Sequence, residues 1–363
     1  MNTEKKNQHY IPKFYLKNFS FQKNEKQIGV FNLKNEFFFP TSKLKTQGSK
    51  NFFYGYDGVI EDRLSEIEGM LSQAIKNLIH TEILPQKESI THADLLAFVA
   101  LTDLRNPVSI GNMKALIDQM RDRVLEIHPE TQTEKVVPTL SHDEIIEFAM
   151  SSFPDIVINI VDLDYKLIIN KTKRPFITSD YPVVRYNQFL EEKKWPHSKS
   201  GYCLVGLQIF IPLNSEIVLH FFDQNIYKVG NKKQKTLIIN DEKSIDEINM
   251  LQFVNCFETI FFDHNATEDY IRYLKAKTVK FKPANQPRSE LSYIFQEGED
   301  SKQIIDQGKN LIILGSSDCE TNLKIEGIKI HSNGKAYKFT SRVTQMRKHP
   351  SRMLDYRTRR NSH

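Results

Sequence analysis

From Ile60 onward, apolar residues recur at spacings of three and four: Leu64, Ile67, Leu71, Ile75 and Leu78. That period predicts an amphipathic helix. Thr91-His92-Ala93-Asp94 opens a second helix with a capping-box-like start, and this helix has to end before Pro107, because proline disfavours helical backbone in the residue before it. A third helix is predicted from about Gly111 to Ile127, stopping before Pro129. Ser141-His142-Asp143-Glu144 is a further capping box and opens a helix to about Phe153.

Outside this block the pattern is that of strands. Ile28 to Leu33 and Glu36 to Phe39 flank Lys34-Asn35 as a hairpin. Tyr165 to Asn170 and Phe176 to Thr178 read as strands joined by the basic turn 171–175. Leu204 to Ile211 and Glu216 to Phe222 read as another hairpin. Ser244-Ile245-Asp246-Glu247 caps a helix to about Phe257, and Thr267 to Ala276 is the last helix of the body. The expected class is α+β: a helical block plus antiparallel hairpins, with a small β-rich C-terminal appendage.

The expected division is a main domain at 1–280, a linker at 281–300, a hairpin appendage at 301–341 and a basic tail at 342–363. Pro283, Pro287 and Gly298 mark the linker. In the appendage, Leu311 to Leu314 is a short apolar strand, and Asn333-Gly334 between alternating residues predicts a hairpin.

Composition narrows the class. The first residues, Met1-Asn2-Thr3-Glu4-Lys5-Lys6, have no apolar run behind the lysines, which predicts no secretory leader. No apolar run approaches the ~20 residues of a membrane span. Three scattered cysteines, Cys203, Cys256 and Cys319, predict a reduced cytoplasmic protein without a disulfide frame or zinc spacing.

The net charge of +5 is concentrated at one end. Arg342, Arg347, Lys348, Arg352, Arg357, Arg359 and Arg360 face one acid, Asp355, and the body is otherwise near neutral. Such a tail points to an anionic polymer, most readily nucleic acid.

Several residues could carry chemistry. His9 lies in the aromatic-rich segment Gln8 to Phe19, where imidazole can move protons or bind metal. Glu61 and Glu68, seven apart on the first helix, share a face within about 20° and sit at the edge of its apolar stripe. Paired carboxylates of this kind serve as a divalent-metal or acid/base pair. Arg105 in Arg105-Asn106-Pro107 closes a helix and can clamp phosphate, with Lys13 as a second cation. Thr178-Ser179-Asp180 lies where a strand stops before Pro182, a position that fixes side chains well. Arg121 with His128 seven residues on resembles the arginine–histidine signature of the HEPN ribonucleases, which work without metal. The dinucleotide, P-loop, zinc-protease and nucleophile-elbow motifs do not occur in the sequence.

Taken in order, Gln8-His9-Tyr10-Ile11-Pro12, Ile60-Glu61, Ile67-Glu68, Arg105-Asn106-Pro107, Phe176 to Val183 and Ile211-Pro212-Leu213 resemble the bacterial and phage domain-of-unknown-function family 4238. The HYxP start and the TSDxPV turn are the most specific marks, and the resemblance spans about residues 6 to 275. It departs from the family at Asn106, where a threonine is expected, and at Asn255-Cys256, where an arginine with nearby aromatics is more usual. The resemblance implies a shared fold and a shared site but no activity. The family's spread through bacteria and phages implies a setting in defence against phage or mobile elements.

The expected function is a nucleic-acid-acting phosphoesterase or nuclease. His9, Glu61, Glu68 and Asp180 would hold Mg²⁺ or Mn²⁺, with Arg105 and Ser179 also in the catalytic site. Lys13 and the basic tail would hold the nucleic acid. The alternative is a non-enzymatic protein that binds nucleic acid or a partner, with the same residues forming a buried polar network. A second alternative is a metal-free HEPN-like ribonuclease. A protein partner or homo-oligomer is neither indicated nor excluded.

Overall fold

The computed structural model describes residues 6–130, 135, 137–293, 310–338 and 346–353. The chain opens with β1 (Asn7–His9), a short α1 (Lys13–Leu16), the hairpin β2 (Gln27–Asn32) and β3 (Phe38–Lys43), and β4 (Ser49–Asn51), which pairs antiparallel with β1. The helical block follows as α2 (Val59–Thr81), α3 (Ile90–Leu104), α4 (Pro107–Ile127), α5 (His142–Ser151) and α6 (Phe153–Ile160).

The expected capping box at Ser141 and Glu144 forms. One boundary differs from expectation and one helix is additional, and a proline lies in the first turn of each. Pro107 opens α4 behind the N-cap Asn106, and Pro154 sits in the first turn of α6. The missing N–H of proline costs nothing at these positions.

The rest of the body holds β5 (Asp164–Asn170), β6 (Thr178–Ser179), β7 (Val184–Tyr186), α7 (Gln188–Glu192), β8 (Gln208–Pro212), β9 (Ile217–Phe222), β10 (Tyr227–Val229) and β11 (Thr236–Ile239). Next come α8 (Glu242–Asn255), β12 (Thr259–Phe262) and α9 (Glu268–Thr278). A five-stranded sheet runs in the order β11-β5-β9-β8-β7, antiparallel except for β11 with β5. A four-stranded antiparallel sheet runs β3-β2-β12-β6. Strands β5 and β6, expected as neighbours across a basic turn, therefore belong to different sheets.

Both faces of the five-stranded sheet are buried, as the alternation along its strands shows. Leu167, Ile209 and Leu219 pack toward the helical block. Ile168, Phe210 and Val218 pack the other way, against Ile245 and Leu251 of α8. The fold is α+β.

Beyond residue 281 the chain is more integrated than a linker and appendage. Strand β13 (Pro287–Tyr293) lies inside the expected linker and pairs antiparallel with β14 (Asn310–Ser316). Strand β15 (Ile328–Ile330) pairs with β10 of the body. Cys319, Leu323 and Ile325 join the core beneath the five-stranded sheet. The expected hairpin at Asn333-Gly334 is instead a short helix, α10 (Ser332–Ala336), because the His331 side chain accepts the Asn333 N–H and caps it. None of the three cysteines forms a disulfide. Among the described residues no helix is long and apolar enough to cross a membrane.

Candidate functional site

Residues 8 to 19 fold inward. Gln8 is fully buried, donates to the Gly55 carbonyl at 2.9 Å and accepts the Tyr54 N–H at 2.5 Å. The Tyr10 and Ile11 amides both donate to the Gly48 carbonyl. Gly48 has φ +60°, and a Cβ there would stand 2.9 Å from that of Ile11, so only glycine suits this crossing. Tyr15 is fully buried and reaches the Thr178 hydroxyl at 2.6 Å and the Pro212 carbonyl at 2.7 Å. The opening segment is thereby tied to both family-like strand motifs.

Against this segment α2 presents Glu61 and Glu68, and the end of α3 presents Arg105, which is 1% exposed. Arg105 Nη1 donates to Glu68 Oε1 at 2.6 Å, and Nη2 donates to the His9 carbonyl. Burial opposes the Arg105 charge, but Tyr54, Glu68 and Glu61 outweigh it and hold its pKa above the ordinary value. Burial raises the pKa of Glu61, with Arg105 and the His9 N–H acting against the rise. Two buried polar atoms in this cluster have no partner, Arg105 Nε and Glu61 Oε2.

It is the backbone of His9, not its ring, that joins the arginine. The ring Nε2 faces the Lys45 carbonyl at 3.2 Å, and burial lowers its pKa.

One residue further on, Asn106 caps α4 through Oδ1 and donates from Nδ2 to the Asp180 carbonyl. The Asp180 carboxylate, 3% exposed, accepts the N–H groups of Phe257 and Glu258 at 2.8 Å and of Thr259 at 2.9 Å, plus the Cys256 thiol at 3.3 Å. Burial raises its pKa against these donors. Ser179 is fully buried, donates to Gln252 at 2.9 Å and accepts the Tyr181 N–H.

Three amides on one face of α8 complete the clamp on residues 176–183. Asn249 accepts the Ile177 N–H, Gln252 holds Ser179 and the Pro182 carbonyl, and Asn255 donates to the Tyr181 and Val183 carbonyls. Sequence reasoning missed Asn249 and Gln252, and named Gln8, Asn106 and Asn255 only as motif positions without a role. The signal was present as amides three apart at 249, 252 and 255.

Several expectations are corrected here. Among the described residues no three His, Cys, Asp or Glu side chains are grouped to hold a metal ion. The proposed set of His9, Glu61, Glu68 and Asp180 is not such a group, because Asp180 is already saturated by protein donors and the His9 ring faces Lys45. Ser179, expected in the catalytic site, is fully buried with its hydroxyl bonded to Gln252 and the Tyr181 N–H. Arg347 is not a free tail cation. It is 3% exposed and binds Asp162 at 3.0 Å and the Leu204 carbonyl at 2.9 Å.

Lys13, Lys348 and Arg352 are exposed, while Arg342, Arg357, Arg359 and Arg360 lie outside the described residues. Arg121 turns to Asp118 and the Val137 carbonyl, whereas His128 caps the end of α4 and faces Glu130.

A model of the family described as a protein of unknown function (DUF4238) matches residues 7–266. That span runs from β1 to the loop before α9 and contains every motif described above. No curated protein and no solved structure matches the chain.

Proposed function

The chain belongs to the DUF4238 family, and we propose that it is a nucleic-acid-binding protein whose His9, Glu68, Arg105 and Asp180 cluster fixes the fold and breaks no bonds. One observation carries this reading. The Arg105 guanidinium is 1% exposed, and both its Nη atoms are engaged inside the protein. A phosphate clamp needs an accessible fork. A buried arginine with a carboxylate and a carbonyl is instead a lock between segments. Nucleic acid is the partner because the chain's positive surplus is gathered at its C-terminal end, where Lys348 and Arg352 are exposed.

The test is fluorescence anisotropy with labelled single-stranded and duplex oligonucleotides. Binding should be salt-dependent and unchanged by Mg²⁺, Mn²⁺ or EDTA. Absence of any binding at low salt contradicts the reading.

A second reading, a phosphoesterase or nuclease, is favoured by Glu61. Its buried Oε2 has no partner, and burial raises its pKa, as suits a general acid. On this reading the wild-type protein cleaves a labelled oligonucleotide, and Glu61→Gln abolishes cleavage without loss of folding. Intact substrate after incubation with wild-type protein, with and without divalent ions, removes it.

A further inference from the structure

The loop that Asp180 holds is the floor of a groove. Cys256 and Phe257 line a cavity of about 510 Å³ between the end of α8 and the segment after α9. A second cavity of about 600 Å³ is lined by Lys194, Lys199, Ser317, Asp318, Glu320 and Asn322. The two share Phe281 and Lys282, so they adjoin. Each lies in the size range that accepts a nucleotide-sized ligand.

The lining combines aromatic rings with cations. Phe257 is 52% exposed although its backbone is fixed by Asp180. Lys50 Nζ stands 5.8 Å from the centre of that ring, and Lys280 Nζ stands 4.9 Å from the centre of Phe281. Lys50 comes from β4, where it pairs with Gln8 of the opening strand. The family motifs thus set both the ring and the cation beside it.

The acids of the groove are engaged by the protein. Asp318 accepts the N–H groups of Lys199 and Ser200, and Glu191 binds the Tyr186 hydroxyl and the Asn322 N–H. Glu320 pairs with Lys199, and Glu36 with Lys275. Among the described residues, Lys194, Lys280 and Lys282 have no acidic partner within ion-pair distance. Among the described residues, the groove therefore offers the exposed ring of Phe257, the half-buried ring of Phe281 and three exposed lysines without an acidic partner, and its own acids are engaged.

Resting on the nucleic-acid reading above, we propose that this groove is a track for single-stranded nucleic acid, with a base on Phe257 and phosphates on Lys280, Lys282 and Lys194. Aromatic platforms with neighbouring cations accept any base sequence, because every base has a π-face. The strand is single because a duplex hides those faces. The exposed lysines Lys194, Lys280 and Lys282 along the two cavities favour a polyanion over a neutral partner.

The experiment is anisotropy of a labelled oligo-dT and oligo-U on the full chain at several salt concentrations. A Lys280→Gln/Lys282→Gln variant should lower the magnitude of the log affinity against log salt slope by about 1.4, the single-strand value for two lost phosphate contacts. Phe257→Ala should weaken binding by about five-fold or more with an unchanged slope, as loss of one stacked base does. Circular dichroism confirms that these surface variants fold.

A Lys348→Gln/Arg352→Gln variant separates the two levels of the proposal. If it abolishes binding while the groove variants bind normally, the nucleic-acid reading stands and the groove is overturned. If the wild type binds duplex but no single strand, the groove is likewise overturned. If it binds neither, both fail.

Discussion

The seam under the opening segment and the groove beside α9 contain the same kinds of residue, cations and aromatics, but in opposite states. At the seam Arg105 is buried and its Nη atoms bind Glu68 and the His9 backbone, and Tyr15 is hydrogen-bonded in the core. In the groove Phe257 faces solvent, and Lys282 has no acidic partner among the described residues. Residue type alone therefore does not locate function. What distinguishes the regions is whether the polar atoms are already satisfied. Asp180 joins them, since it is bound to the seam through Asn106 and carries the groove floor on its carboxylate.

The comparison yields predictions of decreasing size. Arg105→Ala should be the most damaging, because it leaves Glu68 and the His9 carbonyl without their partner. Breaking a buried pair on one side costs about 3–5 kcal/mol, readable as a lowered urea midpoint. An unchanged midpoint would place Arg105 outside the stabilising network.

Asp180→Ala strips the acceptor from three part-buried N–H groups, at up to about 1–3 kcal/mol each before relaxation and rehydration. It should lower the midpoint by a similar or somewhat smaller amount and also weaken oligonucleotide binding, since Phe257 loses its anchor. Loss of stability with full binding would disconnect the two regions.

The Glu61 carboxylate gives a pH test. Its folded-state pKa is raised by burial, so its contribution to stability is fully present below the ordinary carboxylate range and is lost as pH rises through the folded value. Glu61→Gln should therefore be more stable than wild type at neutral pH, with the advantage shrinking as the pH falls into the ordinary carboxylate range. Denaturant curves at several pH values show the sign, and a wild-type advantage at neutral pH would refute it. Neutralising the exposed Lys348 and Arg352 should change stability by no more than about 0.5 kcal/mol.

Much of the fold was legible because its signals are local. The Ile60 to Leu78 period, the capping box at Ser141 and the turn around 212–215 each gave an element that forms. The errors came where one residue type serves two ends of a structure. Pro107 lies beyond the end of α3, as expected, but also opens α4 ahead of the expected start at Gly111, and Pro154 sits in the first turn of α6, a helix that was not expected. Asn333-Gly334 reads as a hairpin unless the capping side chain of His331 is known. The prolines at 283 and 287 read as a linker, although the second opens β13.

At the site, motif order predicted that the opening segment, the α2 glutamates, Arg105 and the 178–180 turn would come together. It did not predict orientation. Whether His9 contributes its ring or its carbonyl, and whether Asp180 faces a cleft or a backbone loop, depends on contacts 96 and 77 residues apart in sequence.

The most direct test of the account is Glu68→Gln, followed in parallel by urea denaturation and by single-strand binding. Glu68 lies at the seam and away from the groove, and glutamine keeps its shape but removes its charge. The account predicts a midpoint lowered by roughly 1–3 kcal/mol, the worth of a charged hydrogen bond, with oligonucleotide affinity unchanged while the protein is folded. An unchanged midpoint with lost binding or lost cleavage would contradict it and return Glu68 to a working site.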